Sequence, residues 1–300
     1  MEALAATPGA EAARIAVDAT LSLLRGLDGD KSWEWEDEAY WREKYRAQMK
    51  RVLAGERVDE SRWGFRFWQR EFLVERLPAA LWQPGVTILD IGSGPGHDFR
   101  LLLSPHFDPG SLYVAADVCL EALRLNRLRN PHSNALYVLC SADRLPFRDA
   151  TMDLVCYFGI LHHTERQERT IGEDIRLVRP GGLVILHEAL TRPSARPGFL
   201  PARDPGSEHE HTIDRDALLE GIRRVPGLEI RAERWAHTAV LGLGKTVLRR
   251  WLRARAAYEV VSAVDLLFLK LFGRFWGYFQ PGEVMLVLAK DETPGVAPGA

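Results

Sequence analysis

The sequence predicts an α/β protein built on an open, mostly parallel sheet, and three observations carry that prediction. Residues 86–91 form an apolar, β-branched run, interrupted only by Asp90, that passes directly into Gly92-Ser93-Gly94-Pro95-Gly96. Such a run suits a parallel strand covered on both faces, and the glycines let the backbone turn sharply and approach a ligand closely. Further apolar runs of strand length follow, separated by segments long enough for helices, which is the alternation that builds a parallel sheet. The second run, 112–116, ends at Asp117. An acid there points at the ribose of a bound nucleotide, because a carboxylate accepts hydrogen bonds from both hydroxyls.

Taken in order, the first strand and its glycine loop lead into a helical segment expected over 98–104. The second strand is followed by a helix over 119–129. A third strand, 136–140, runs into Ser141-Ala142-Asp143-Arg144-Leu145-Pro146-Phe147. The fourth, 152–158, precedes Gly159-Ile160-Leu161-His162-His163, with a helix expected over 165–178. The turn Arg179-Pro180-Gly181-Gly182 should open the fifth strand, 183–187, which Glu188 follows. Residues 228–235 and 284–289 suit a sixth and a seventh strand.

Five pieces, LDIGSGPG, AADV, SADRLPF, DLVCYFGILHH and LVRPGGLVIL, stand in this order within about residues 84–190. Together they resemble a class I S-adenosylmethionine-dependent methyltransferase of the small-molecule type. The resemblance implies a Rossmann-like, seven-stranded sheet with antiparallel last strands. It also implies S-adenosyl-L-methionine as cofactor, over the carboxyl ends of the first, second and fourth strands. Carried onto these positions, Asp90 and the backbone of Gly92, Ser93, Gly94 and Gly96 hold the methionine half. Asp117 binds the ribose hydroxyls, and Val118 packs on the adenine. Asp143 and the amide of Ala142 meet the adenine edge, while Phe158 and Gly159 lie under the methionyl segment. The plain alternatives are that Asp117 caps a helix and that Asp143 is a turn residue.

A nicotinamide enzyme is the competing nucleotide reading. Its fingerprint is G-x-G-x-x-G, and here His97 stands where the third glycine belongs. Asp90 would also sit awkwardly beside a pyrophosphate, whereas it suits an ammonium group. The dehydrogenase reading is therefore rejected.

Three hundred residues are ample for one α/β domain with additions, and a net charge of −2 gives no sign of a nucleic-acid surface. The three cysteines, Cys119, Cys140 and Cys156, form no CxxC pair. That pattern fits reduced thiols in a cytoplasmic protein, with no disulfide framework and no metal site. No basic-then-apolar leader opens the chain.

The expected organisation is an N-terminal helical lid over 1–80, a methyltransferase domain over 81–290 and a disordered tail over 291–300. Aromatic residues punctuate the N-terminal segment, among them Trp35, Tyr40, Trp41, Tyr45 and Trp63. Either they pack this segment onto the sheet, or one or two of them, Trp35 or Tyr40, line an acceptor pocket. The Pro-rich loop 191–212 should lie on the acceptor side. A helical insertion over 240–280 contains a basic stretch and a nearly apolar one, which suits burial, a second subunit in a homo-oligomer, or peripheral membrane contact through 245–279. His163, His209 and Glu188 are the candidate catalytic residues, because imidazole titrates near neutrality.

The expected activity is methyl transfer to an oxygen or nitrogen, rather than a carbon, of a small-molecule acceptor such as a specialised metabolite, sugar or lipid-like intermediate. The alternatives are a cofactor-binding partner without turnover and a lipid methyltransferase at a membrane surface.

Overall fold

The computed structural model describes residues 38–56, 67–130, 132, 134–164, 167–189, 213, 215–236, 260, 263–264, 267 and 283–292. His209 and the 191–212 loop, nearly all of 240–280, residues 1–37 with Trp35, Trp63, and residues 293–300 lie outside the described residues.

Seven strands make one sheet: β1 (Thr87–Ile91), β2 (Leu112–Asp117), β3 (Ala135–Leu139), β4 (Met152–Phe158), β5 (Val178–Ala189), β6 (Leu228–Ala236) and β7 (Glu283–Lys290). Their order is β3-β2-β1-β4-β5-β7-β6. Neighbours from β3 through β5 pair in parallel. β7 pairs antiparallel with both β5 and β6, so it alone runs against the rest. This is the architecture that the resemblance implied.

Among the described residues five α-helices accompany the sheet: α1 (Glu38–Leu53), α2 (Phe67–Arg76), α3 (Leu120–Arg129), α4 (Gln167–Leu177) and α5 (Arg215–Arg223). Successive strand residues point to opposite faces, and the core divides accordingly. Leu89, Ile91, Val155, Tyr157, Val184 and Leu186 meet Ile171 and Leu177 of α4 and Leu219 and Ile222 of α5. Ile88, Tyr113, Leu154, Cys156 and Ile185 face Phe72 and Leu73 of α2, Leu123 of α3, and Phe99 and Leu102. Covering on both faces explains why β1 and β5 read as continuous apolar runs rather than alternating ones.

The helical segment expected over 98–104 is present, wound as a π-helix over Phe99–Leu103, in which the Ser104 N–H donates to the Phe99 carbonyl at 2.7 Å. Widening this turn buries Phe99, Leu102 and Leu103 together. The turn expected at 179–182 is absorbed into β5, which begins at Val178. Gly181, at φ +73°, and a register shift between Met152 and Leu154 bulge the strand without ending it.

Strand order reverses between β1 and β4, each of which turns toward different neighbours, and the crevice for a ligand in such sheets opens at the carboxyl ends there. The loops after these two strands touch. Gly92 sits at φ +60°, and a Cβ on it would stand 2.3 Å from Cγ2 of Ile160. Gly92→Ala is therefore expected to cost about 1–3 kcal/mol from left-handed backbone strain and the clash with Ile160. Urea unfolding monitored by circular dichroism checks this, and an unchanged midpoint would mean that the loops do not meet.

Candidate functional site

The glycine loop is held from below by a chain of buried hydrogen bonds. Asp90 and Tyr113 project to the same face because Asp90 pairs with Ala115, two residues beyond Tyr113. The Tyr113 hydroxyl donates to Oδ2 of Asp90 at 2.9 Å and accepts from Nδ2 of Asn126 at 3.2 Å. Nδ2 of Asn130 donates to Oδ1 of Asn126 at 2.8 Å and to the Gly96 carbonyl at 3.2 Å. Gly96, at φ +70°, leaves room for this contact, since a Cβ there would lie 2.1 Å from Nδ2 of Asn130. Asp90 is thus sealed beneath the loop, where burial pushes its carboxyl well above the usual range and the Tyr113 hydrogen bond pulls it back.

Asp117 ends β2 beside the same loop. Its Oδ2 accepts from the Gly94 N–H and its Oδ1 from the Cys119 N–H, each at 2.8 Å. A carboxylate has about four acceptor sites, so each oxygen keeps capacity for a further donor such as a ribose hydroxyl. Burial pushes this carboxyl up to about 6, against the pull of the backbone donors. Ser93 Oγ is buried and has no partner among the described residues, which leaves a polar atom in the loop for a ligand to satisfy. At Gly94, φ +51°, a Cβ would stand 3.5 Å from Oη of Tyr45 and 4.0 Å from the Gly92 carbonyl. These features fit a nucleoside carrying an amino-acid arm.

Around them, Val118 and Ala142 are half-buried. Asp143, after β3, accepts from the Ser141 hydroxyl at 2.7 Å. β3, β2, β1 and β4 are consecutive in the sheet, so Asp143, Asp117, the glycine loop and Gly159 follow one another along its carboxyl edge. Phe158 turns into the α2-side core with its ring 6.4 Å from that of His187, leaving Gly159, at φ +71°, as the bare backbone of that wall.

Glu188 is fully buried. Its Oε1 accepts from the Ile160 and Leu161 N–H groups at 2.8 and 2.6 Å, and its Oε2 lies 2.9 Å from Nδ1 of His162. His163 packs differently, with its ring edge-on to Trp41 at 6.0 Å and 4.1 Å from the ring of His162.

Helix α1 roofs this edge. Trp41 reaches His163, Tyr45 reaches Gly94, and the two rings stack at 5.6 Å. Tyr40 meets the Trp41 edge, and the Lys44 ammonium lies 4.0 Å from the Trp41 ring centre. The helix is fastened through Arg46, which ion-pairs with the nearly buried Glu121 of α3 at 2.8 Å.

Tyr113, Asn126 and Asn130 were not singled out as site residues, and neither His162 nor Tyr45 was preferred. A signal existed for the asparagines: they stand four apart, Asn126 fully buried on α3 and Asn130 capping its end. Partners so distant in sequence as Arg46 and Glu121 leave no local pattern.

Residues 89–186 match the family model described as Methyltransferase domain. The chain is 28% identical over 144 residues to a demethylmenaquinone methyltransferase of Renibacterium salmoninarum, covering 48% of this chain and 54% of that protein. It is 33% identical over 100 residues to a malonyl-[acyl-carrier protein] O-methyltransferase of Methylococcus capsulatus, covering 33% and 36%. It therefore spans about half or less of these relatives' lengths. Among solved structures, the geranyl diphosphate C-methyltransferase of Streptomyces coelicolor A3(2) aligns with a TM-score of 0.51 at 16% identity, over 74% of this chain and 75% of that one. The [4+2]-cyclase SpnF aligns with a TM-score of 0.51, also at 16% identity, over 75% and 80%. These two likenesses show a shared fold.

Tyr113→Phe should cost about 1–3 kcal/mol, because it leaves Asp90 and Asn126 without their buried partner. Urea unfolding measures it, and an unchanged midpoint would place the Tyr113 hydroxyl outside the network.

Proposed function

We propose that this chain, whose residues 89–186 form a class I S-adenosylmethionine-dependent methyltransferase domain, methylates an oxygen or nitrogen of a small-molecule acceptor. The observation that carries the proposal is the cradle itself. Asp117 keeps acceptor capacity beside three left-handed glycines, and the buried Ser93 hydroxyl among them lacks a partner.

When bound, S-adenosylmethionine supplies an electrophilic methyl group on a sulfonium that is already a good leaving group. The protein's share is alignment and exclusion of water. Asp117 would accept from the ribose hydroxyls, Ala142 and Asp143 would meet the adenine with Val118 on its face, and the 92–96 backbone with Gly159 would receive the methionyl arm. Asp90 would act from beneath, holding the loop through Tyr113. Trp41 and Tyr45 would close the site from α1, Tyr45 with its hydroxyl toward Gly94.

The named relatives differ in the acceptors they act on, so the methylated atom is argued from the site. An imidazole beside Gly159 suits a nucleophile with a proton to lose. Cytoplasmic location and oligomeric assembly remain expectations. Among the described residues no helix is long and apolar enough to cross a membrane.

Transfer of tritium from methyl-labelled S-adenosylmethionine to a panel of phenols, amines, sugars and thiols tests the proposal. Label should appear in an oxygen- or nitrogen-bearing acceptor, and a product labelled only on carbon would overturn the choice of atom. Asp117→Ala should weaken S-adenosylhomocysteine binding by about 1.5–3 kcal/mol, the value of a hydrogen bond to a charged group. Unchanged affinity would remove Asp117 from the site. Ribose hydroxyls favour the ionised carboxylate, so affinity should fall as pH drops through about 6. Calorimetric titrations from pH 5 to 8 measure this, and a flat profile would contradict it.

A further inference from the structure

Glu188 and Asp174 are both fully buried, in contrasting settings. Leu186 of β5 pairs with Tyr157 of β4, so Glu188, two residues on, projects to the same face as Tyr157. Its carboxylate accepts from the Ile160 and Leu161 amides and faces Nδ1 of His162, a setting that suits a charge. Asp174 reaches the same layer from α4, where it and the Tyr157 hydroxyl bear on each other. Neither residue has exposed surface. Neither carboxyl oxygen of Asp174 makes a regular hydrogen bond, and nor does the Tyr157 hydroxyl. An ionised carboxylate only accepts, and buried without a donor it is costly. The neutral acid carries a donor of its own, which the Tyr157 oxygen can take.

We propose that Asp174 is held as the neutral acid against the Tyr157 hydroxyl, and that this pair is a pH-sensitive latch between α4 and β4. The latch is closed while the proton is present and loosened when it leaves. It bears on the crevice, because α4 also packs against the Leu161–His163 turn that follows β4. Tyr157 and Leu161 share one buried cluster with Ile171 and Leu177 of α4. The inference goes beyond the methyl-transfer reading and requires no ligand.

The surroundings favour the proton. Burial pushes the Asp174 carboxyl well above the usual range, the Tyr157 hydroxyl pulls it back, and the Glu173 charge raises it again. Glu173 itself is paired with Arg176 on the same helix. From β5 the Glu188 charge is felt at Tyr157, and Cys156 of β4 feels Asp174. From β7 the Lys290 ammonium is spent on the Ile175 and Val178 carbonyls at 2.7 and 2.8 Å. Helix α5 meets the cluster with Leu218, Leu219 and Ile222. None of these groups hydrogen-bonds the Asp174 carboxyl. An acid raised by folding stabilises fully below its ordinary value of about 4, and the contribution is lost as pH climbs toward the folded value.

Urea unfolding of the full chain at pH 5, 6.5 and 8, for the parent and Asp174→Asn, tests the proposal. Asparagine keeps the shape of the side chain and cannot ionise. Asp90 and Asp117, which burial also raises, act alike in both proteins, so the difference isolates Asp174. Relative to the variant, the unfolding constant of the parent should rise with pH, by up to about tenfold per unit. A ratio that stays flat or falls from pH 5 to 8 would overturn the latch. A second readout needs no variant. In the ¹³C,¹⁵N-labelled parent, the Asp174 carboxyl carbon, assigned through its own backbone, should keep the shift of a protonated acid at pH 7. A carboxylate shift there would overturn the proposal. If Asp174→Asn does not fold, by circular dichroism, the carboxyl carbon of the parent decides.

Discussion

The rest of the site depends on the buried hydrogen-bond chain that runs from Asp90 through Tyr113, Asn126 and Asn130 to the Gly96 carbonyl. A loop with three left-handed glycines has much conformational freedom to lose on folding. Without fixed partners it would not hold one shape against a ligand. In a low-dielectric interior each of these bonds is strong when made and costly when missing, so the chain admits one loop geometry. It also fastens the loop to α3. Through Glu121 of that helix it reaches Arg46, and so the α1 roof that carries Tyr45 and Trp41. Loop, helix and roof behave as one braced unit.

A second brace stands across the crevice. Glu188 holds the backbone at 160–161, and Ile160 in turn presses on Gly92. The two loops that flank the switch point between β1 and β4 are therefore set relative to each other. These braces set the crevice with backbone and buried side chains rather than exposed ones.

The parts that were legible in the sequence are those governed by local pattern. β4 matches its expected span, 152–158, because its apolar run is bounded by Thr151 and Gly159. The loop after β1 and the acid after β2 could be read for the same reason. The misjudged boundary arose where packing overrode a local rule. Pro180-Gly181-Gly182 resembles a stop signal, yet the bulge beside Met152 keeps it within β5. The helix expected over 98–104 is there, wound as a π-helix that buries Phe99, Leu102 and Leu103. The partner of Asp90 was not legible either, since the register with Ala115 is what brings Tyr113 to it. The difference between His162 and His163 was illegible, since only the fold brings Glu188 to one and Trp41 to the other.

The most direct test of the central claim is isothermal titration of the purified chain with S-adenosylmethionine and S-adenosylhomocysteine, with NADH as comparator. Micromolar binding of both sulfur ligands, with no heat from NADH, is the predicted result. Binding of NADH, or silence with both sulfur ligands, would contradict the account and assign the braced glycine loop to a different ligand.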